Sequence, residues 1–349
     1  MPCPRAESGV DNMAVKIKDV AERAGVAKST VSNALTGNKY VSEELKQKIL
    51  KICEEMNYHP SFYASKMAGD QSNIIALFLE ESESGQYHSF YTELIESCLK
   101  HISASGYNLF ISYNADGRER QGLLQKGKTL LDGAIIISPA SHDDERIALL
   151  EDELIPCVSI GKPADSQMVS YVDVDNTRLV RNAVHLLALS GYTKIYLLNS
   201  SEKLNISCDR TASFLKALTD EKLEGDGSSI CYCTESSEEE GAAFAKKVMA
   251  EDVAFITANT WLAQGVYACA AEMGLGIGED VGVFALGGKV DPEKTPRLAY
   301  ATQDYGKLAR LAADILLQNL EEIGKGEFSE RKIISLPCKI SFDASINRK

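Results

Sequence analysis

The chain lacks the features that mark several large classes of protein. No stretch of its 349 residues holds 18 uninterrupted apolar residues, so we expect no membrane-spanning helix. It has no GxSxG elbow, no HExxH and no GxGxxG after a strand, and its five histidines are dispersed. Residues 1–12 have no apolar segment of a signal peptide. These absences predict a soluble, cytoplasmic protein and disfavour an enzyme and a secreted solute-binding protein.

Cysteine chemistry is also sparse. The chain has nine cysteines but no CxxC motif. Cys231 and Cys233 flank Tyr232 in a predicted strand, where alternate residues share a face, but two ligands make a poor zinc site. We therefore predict reduced, mostly buried thiols and neither a metal nor a cofactor.

A net charge of -13 disfavours a nucleic-acid partner until the distribution of charge is considered. Residues 13–68 contain nine Lys or Arg against six Asp or Glu, whereas residues 69–349 contain 27 against 42. A basic head on an acidic body is typical of a DNA-binding domain attached to a separate domain. Residues 1–12 precede a second methionine, Met13, and we interpret them as a disordered extension or as an upstream start called in error.

Residues 15–40, VKIKDVAERAGVAKSTVSNALTGNKY, carry the most specific pattern in the chain. Apolar residues recur at helical spacing before and after Gly25, which supplies the positive φ that a tight turn needs. The outward face of the second helix is short or basic and suits contacts to phosphates or base edges: Lys28, Ser29, Ser32 and Asn33. Ser42 then caps a third helix over residues 43–56, which completes a helix-turn-helix domain over residues 13–58.

From about residue 15 to residue 68 the chain resembles the DNA-binding headpiece and hinge of the lactose and purine repressor family. The pieces IKDVAxxAGV, STVSxxL and YVSEE and the run Tyr-x-Pro-x-x-x-Ala match in order and spacing. The resemblance implies DNA contacts by Lys16, Lys28, Ser29, Thr30, Ser32, Asn33, Thr36, Tyr40 and Ser42. It also implies a hinge helix within residues 59–72 that enters the minor groove through Ala64 and Met67.

Beyond residue 72, short apolar strands alternate with helices. The strand segments include IIALFL, NLFISY, AIIIS, PCVSIG, KIYLLN, AFITAN and VGVFAL. Apolar strands separated by helices indicate parallel sheets covered on both faces, so the fold class is α/β with two lobes and a cleft between them. Ligands in such sheets bind beyond the carboxyl ends of the strands.

The family resemblance continues here, where the family has an effector-binding core similar to periplasmic sugar-binding proteins. It implies three crossings between lobes, which we place near Asp173, Gln303 and Arg331. The predicted core of residues 73–349 then divides into lobe 1 (about 73–173 and 304–332) and lobe 2 (about 174–303 and 333–345).

Two departures from the family pattern affect the predicted ligand. Thr260 follows Ala258-Asn259 where the family usually has aspartate, and Gly287-Gly288 replaces a usual Asp-Asp. Both carboxylates that commonly bind sugar hydroxyls are therefore missing. We expect an acidic or modified sugar in place of a plain hexose.

The candidate effector contacts each have a structural alternative. Arg210 matches the family's effector arginine but also suits a solvated helix surface. Asp175 is equally compatible with contacting the ligand and with holding Arg210 or a helix end. Phe90 and Tyr91 suit stacking on a ring or a place in the core. The remaining candidates, each with an alternative in a strand-end cap or in packing beneath a helix, are Asn259, Gln303 and Trp261.

These observations predict a homodimeric, ligand-responsive repressor that binds a pseudo-palindromic operator. Lys349 ends the chain without the apolar heptads of a tetramerising tail. The alternative is the same regulator with a degenerate cleft that responds to a partner protein. Neither the effector nor the regulated genes follow from the sequence.

Overall fold

The computed structural model describes residues 17–36, 41–56, 72–79, 89–112, 130–164, 166, 168–327 and 329–347. The chain divides into two compact units, Met1–Ser72 and Asn73–Lys349. Each is described separately below, as the head and the core. No described helix is long and apolar enough to cross a membrane.

The head contains three helices, α1 (Ile17–Ala24), α2 (Lys28–Thr36) and α3 (Glu43–Glu55). Gly25 follows α1 with a φ of 72°, which glycine adopts without steric strain and which turns the chain into α2. Apolar residues at helical spacing meet in one core, formed by Val20, Ala21, Ala24, Val31, Ala34, Ile49, Ile52 and Cys53.

The core contains two six-stranded sheets, one in each lobe. The strands of lobe 1 are β1 (Ile74–Phe78), β2 (Asn108–Ser112), β3 (Gly133–Ile137), β4 (Cys157–Ile160), β5 (Ser170–Val174) and β11 (Ile333–Leu336). Those of lobe 2 are β6 (Lys194–Asn199), β7 (Ile230–Tyr232), β8 (Val253–Thr257), β9 (Val281–Ala285), β10 (Ala299–Thr302) and β12 (Lys339–Ser341). The strand orders are β11-β5-β4-β3-β1-β2 and β12-β10-β9-β8-β6-β7. Only the β10–β12 pair is antiparallel among the described pairs.

Helices flank both sheets. Lobe 1 has α4 (Ser89–Ala104), α5 (Glu145–Asp152) and α10 (Tyr305–Gly324), and lobe 2 has α6 (Asn176–Leu189), α7 (Asn205–Asp220), α8 (Glu238–Val248) and α9 (Thr260–Glu272). The central strands β3, β4, β8 and β9 are buried along their whole length, as expected for parallel strands with helices on both faces. In each lobe the strand order reverses beside the first strand, so the carboxyl ends of the strands form the binding edge.

The chain crosses between the lobes after β5, after β10 and after β11. The first two crossings lie where the sequence placed them, near Asp173 and Gln303. The third prediction, near Arg331, is wrong because residues Ile333–Leu336 pair in parallel with β5 in lobe 1. The crossing follows at Pro337 and Cys338, before β12 joins lobe 2.

Candidate functional site

In the head, α2 presents a polar face outward because Val31 and Ala34 point into the hydrophobic interior of the head itself. The described residues of that face are exposed or half-buried, namely Lys28, Ser29, Thr30 and Asn33. Ser42 is also exposed, immediately before α3. Short and basic side chains on an exposed second helix are the equipment of a DNA-reading surface.

Several predicted DNA contacts cannot be placed. Lys16, Tyr40, Ala64 and Met67 lie outside the described residues. Ser32 and Thr36 lie on α2, but their side chains are outside the described set. Their roles stay predictions.

In the core, a cavity of about 170 Å³ lies between the two lobes at the carboxyl ends of the strands. Lobe 1 contributes the ends of β3 and β4, and lobe 2 contributes the ends of β6, β8 and β9 with the first turns of α7 and α9. Its polar side chains include Lys162, Asp173, Arg210, Thr234, Glu235, Ser236, Asn259, Thr260, Lys289, Gln303 and Tyr305.

Arg210 lies in the cavity wall with only 4% of its surface exposed. Its Nε donates to Asn176 Oδ1 at 3.1 Å, and Asn176 Nδ2 donates to Asp173 Oδ1 at 3.3 Å. Burial lowers the pKa of Arg210, an effect that Tyr305, Asp173 and Cys338 oppose. Among the described residues, Nε alone of the guanidinium nitrogens donates a hydrogen bond. The alternative of a solvated surface arginine is excluded.

Asp173 is the half-buried acid of this relay. Its Oδ2 accepts from the amide of Lys162 at 3.0 Å and its Oδ1 accepts from that of Val174 at 2.7 Å. Burial raises the pKa of Asp173 to about 6 despite these donors and the charge of Arg210.

Asp175 is not in the cavity wall, which corrects its assignment as an effector contact. Its carboxylate accepts from the amide of Arg178 at 2.9 Å and caps α6. A residue directly before a helix is held by the unpaired amides of the first turn. Asp173, two residues earlier, lines the cavity instead. The sequence signal for Asp173 was its position near the end of the strand segment YVDV.

Aromatic side chains occupy both sides of the cavity. Tyr91 of α4 is 5% exposed and belongs to the hydrophobic cluster of lobe 1 while also lining the cavity, and its stacking on a ligand ring stays a prediction. Trp261 of α9 lines the opposite side and is 37% exposed, which excludes packing beneath the helix. Phe90 lies in α4, but its side chain is outside the described set.

The position of one missing family carboxylate is filled by other side chains. A Cβ on Gly287 would lie 2.9 Å from Gln303 Nε2 and 3.1 Å from the hydroxyl of Tyr305. Gln303 Nε2 donates to the carbonyl of Leu286 at 3.0 Å. The space next to Gly287 is thus occupied by groups that can accept and donate without a full charge.

Thr260, at the position of the second missing carboxylate, contacts the loop that contains Gly287 and Gly288. Thr260 Oγ1 donates to the carbonyl of Lys289 at 2.9 Å, and a Cβ on Gly288 would lie 2.7 Å from that same hydroxyl. Gly288 also has a φ of 102°, which side chains rarely adopt. The two departures belong to one repacked contact between α9 and the loop after β9.

Asn259 lines the cavity, but its amide is engaged in structure. Its Oδ1 accepts from the amides of Trp261 and Leu262 as the N-cap of α9, and its Nδ2 donates to the carbonyl of Ser236 at 3.2 Å. It thereby joins the loop after β7 to the start of α9. It positions Trp261, and the sequence cue for this role was a polar residue directly before a helix.

Three residues that the sequence did not single out link the lobes. Lys162 Nζ lies 3.2 Å from Asp209 Oδ1, and Asn205 Nδ2 donates to the carbonyl of Lys162 at 2.7 Å. No local signal pairs residues 47 positions apart. Among the described residues no cluster of three or more His, Cys, Asp or Glu is arranged to hold a metal.

Comparison with known proteins supports both units. Residues 16–61 match the model of the bacterial regulatory proteins of the lacI family, and residues 183–345 match the periplasmic binding protein-like domain. The chain therefore carries a lacI-family DNA-binding domain followed by a periplasmic-binding-protein-like domain. With this helix-turn-helix head and an α/β core, it is a DNA-binding transcription regulator.

Individual relatives cover nearly the whole chain. The HTH-type transcriptional regulator MalR of Streptococcus pneumoniae (serotype 4) is 29% identical over 317 residues, which is 89% of this chain and 94% of MalR. Two solved structures share the fold. A complex of the regulator CelR with cellobiose has a TM-score of 0.70 at 22% identity and covers 95% of this chain and 99% of its own. A lac repressor dimer bound to operator and the anti-inducer ONPF has a TM-score of 0.72 at 21% identity, with the same coverage.

Proposed function

We propose that this lacI-family regulator is a repressor that binds a pseudo-palindromic operator as a homodimer in the cytoplasm and is controlled by an acidic or modified sugar. One head presents a single reading helix, so a dimer supplies the two half-sites and the phosphate contacts that useful affinity needs. No step of the proposal requires catalysis.

The DNA contacts that we propose are the exposed residues of α2 with the start of α3. Lys28 and Ser29 are exposed, and Asn33 is half-buried about one turn further along the reading helix. An amide at this position suits the N6 and N7 atoms of adenine. The basic charge of residues 13–68 supplies the attraction to phosphates that is independent of sequence.

The observation that carries the effector class is the guanidinium of Arg210. It is almost fully buried in the cavity wall, and the described residues engage only its Nε. An arginine with a free pair of Nη donors binds carboxylates, phosphates or paired hydroxyl acceptors. Trp261 offers a flat apolar face to a ring, and Gly287 and Thr260 stand where the resemblance implies the two carboxylates that commonly bind sugar hydroxyls.

The test is a titration with hexuronates and hexose 6-phosphates, each paired with the neutral hexose of the same configuration. Since Trp261 is the single tryptophan, its emission reports on the cavity alone. We expect an anionic compound to shift the emission and to change operator affinity, and operator DNA to change the affinity for that compound by the same factor.

Two variants make the titration specific. Arg210→Gln should abolish the response, whereas Arg181→Gln, at an exposed position of α6 in the same lobe, should leave it intact. Tighter binding of the neutral hexose, with Arg210→Gln unaffected, would overturn the anionic class. A change in operator affinity that follows a protein partner and none of the compounds would favour the degenerate cleft.

A further inference from the structure

The loop of residues 138–141, after β3, contacts the cavity and the opposite lobe at once. Ser138 and Pro139 line the cavity. Ala140 forms an isolated antiparallel bridge with Leu204, which lines the cavity in lobe 2 and precedes α7. We call the contact of residues 139–141 with residues 203–205 the interlobe joint.

The interlobe joint is made by backbone atoms. The amide of Ser141 donates to the carbonyl of Lys203 at 2.8 Å, and the amide of Asn205 donates to the carbonyl of Pro139 at 3.1 Å. Because backbone groups alternate along an extended strand, the amide of Ala140 points away from lobe 2. The joint therefore depends on how the loop is held from behind.

A buried ion pair holds it there. Arg146 Nη2 lies 2.6 Å from Asp144 Oδ2, and both side chains are more than nine-tenths buried. Asp144 Oδ2 also accepts from the amide of Ala140 at 2.9 Å. Arg146 Nη1 and Nη2 donate to the carbonyls of Ile137 and Ser138 at 3.2 and 3.1 Å. Both ends of the loop are thus tied to one charge pair.

We propose that the Asp144–Arg146 pair is a positioning device that holds the interlobe joint closed and transmits the state of the cavity to the relation between the lobes. Ser138 has a φ of 51°, and the guanidinium of Arg146 binds the carbonyl of this same residue. A ligand that presses on Ser138 or Pro139 moves the backbone whose other face carries the bonds to Lys203 and Asn205. This role rests on the proposed function, in which the cavity controls operator binding.

The pair differs from the contact of Lys162 with Asp209, which also spans the lobes. That contact joins two side chains of which 47% and 30% are exposed, so water competes for it and its contribution is small. The side chains of the Asp144–Arg146 pair are more than nine-tenths buried, and they bind three backbone groups, the carbonyls of Ile137 and Ser138 and the amide of Ala140. The pair is therefore the stronger determinant of closure.

The experiment compares Arg146→Lys with Arg331→Lys in the full-length protein without ligand. Arg331 is a matched control because it also donates to two backbone carbonyls in lobe 1, those of Val169 and Ser166, away from the joint. Lysine keeps the charge and loses the planar fork. The measurements are acrylamide quenching of Trp261, the radius of gyration by small-angle X-ray scattering and operator affinity.

We expect Arg146→Lys to increase the quenching of Trp261, to enlarge the radius of gyration and to change operator affinity by about fivefold or more, the range of allosteric coupling. Arg331→Lys should change none of the three, even where its melting temperature falls as much. Asp144→Asn, which keeps an oxygen to cap α5, should behave like Arg146→Lys.

Equal quenching and equal scattering in the two lysine variants would overturn the proposal. Because none of these measurements uses an effector, they separate this role from the proposed effector class. Failure of the anionic compounds to bind leaves the contrast between the two variants unchanged.

Discussion

Asn33 lies half-buried on α2, on the same outward face of the head as Lys28 and Ser29. At this scale one side chain decides which atoms can be bound. An amide offers one donor and one acceptor in a plane, which fits adenine, whereas a guanidinium offers paired donors, which fit guanine.

Replacement of Asn33 by arginine should therefore shift the preferred base towards guanine at one position of each half-site. The change in discrimination should be about 1–3 kcal/mol, the value of one good bidentate contact. Binding-site selection from random DNA measures it. Recovery of the same sequence by Asn33→Arg and the wild type would show that Asn33 does not contact a base.

Asp173 provides the second test of a single residue. Burial raises its pKa to about 6 in the folded protein, above the value of about 3.9 in an unfolded chain. Between these values the folded state holds more protons than the unfolded state, so the contribution of Asp173 to stability falls as the pH rises from about 4 to about 6.

Asp173→Asn removes this titration. The free energy of unfolding of the wild type, relative to the variant, should fall by up to roughly 3 kcal/mol across that pH window and stay constant above it. Denaturant unfolding at a series of pH values measures the difference. Parallel curves for the two proteins would contradict the raised pKa.

At the scale of elements, α8 and α9 determine the lobe 2 wall of the cavity. Glu240 closes a capping box with Ser237 and also accepts from the amides of Thr234 and Glu235, which line the cavity. The start of α9 carries Asn259 and Trp261 into the same wall. The crossing of the two helices thus sets the position of several cavity residues.

Glycines allow this close crossing. A Cβ on Gly265 would lie 2.1 Å from the carbonyl oxygen of Glu238, and one on Gly241 would lie 2.4 Å from that of Leu262. Gly265→Ala should lower the stability by about 1–3 kcal/mol or more, because backbone atoms must separate.

Thermal unfolding of Gly265→Ala measures the effect, with Gly227→Ala as the control. A Cβ on Gly227 meets nothing within 4 Å, so that variant should stay within about 0.5 kcal/mol of the wild type. If Gly265→Ala and Gly227→Ala have the same melting temperature, α8 and α9 do not make the described contact.

For the whole molecule, the separation of charge matters most. The head is basic and the rest of the chain is acidic, so attraction to DNA comes from the head while the core disfavours non-specific contact. The division of the chain after Ser72 indicates that the core has its own hydrophobic interior.

Deletion of residues 1–68 should abolish operator binding and leave a folded core that still dimerises. Affinity measured on operator and on random DNA, together with the circular dichroism spectrum and the mass in solution, tests this prediction. Specific binding by the truncated protein would mean that the helix-turn-helix is not the reading element.

Local patterns determined much of this protein. Helical spacing around Gly25 predicted the first two head helices and the cap Ser42 the third, and uninterrupted apolar runs such as AIIIS and VGVFAL predicted central parallel strands. These predictions succeed because periodicity and turn residues act within a few neighbours along the chain. The same patterns placed the binding edge, because the carboxyl ends of parallel strands lie together.

The tertiary structure decided which polar residues face the cavity. Asp173 lines it while Asp175 caps α6, and Gln303 and Tyr305 fill the space beside Gly287. Pairing of β11 with β5 also moved the third crossing beyond Leu336. Such outcomes depend on partners far apart in sequence, and on competition between a helix end, a strand ladder and a cavity for the same side chain, which no local pattern contains.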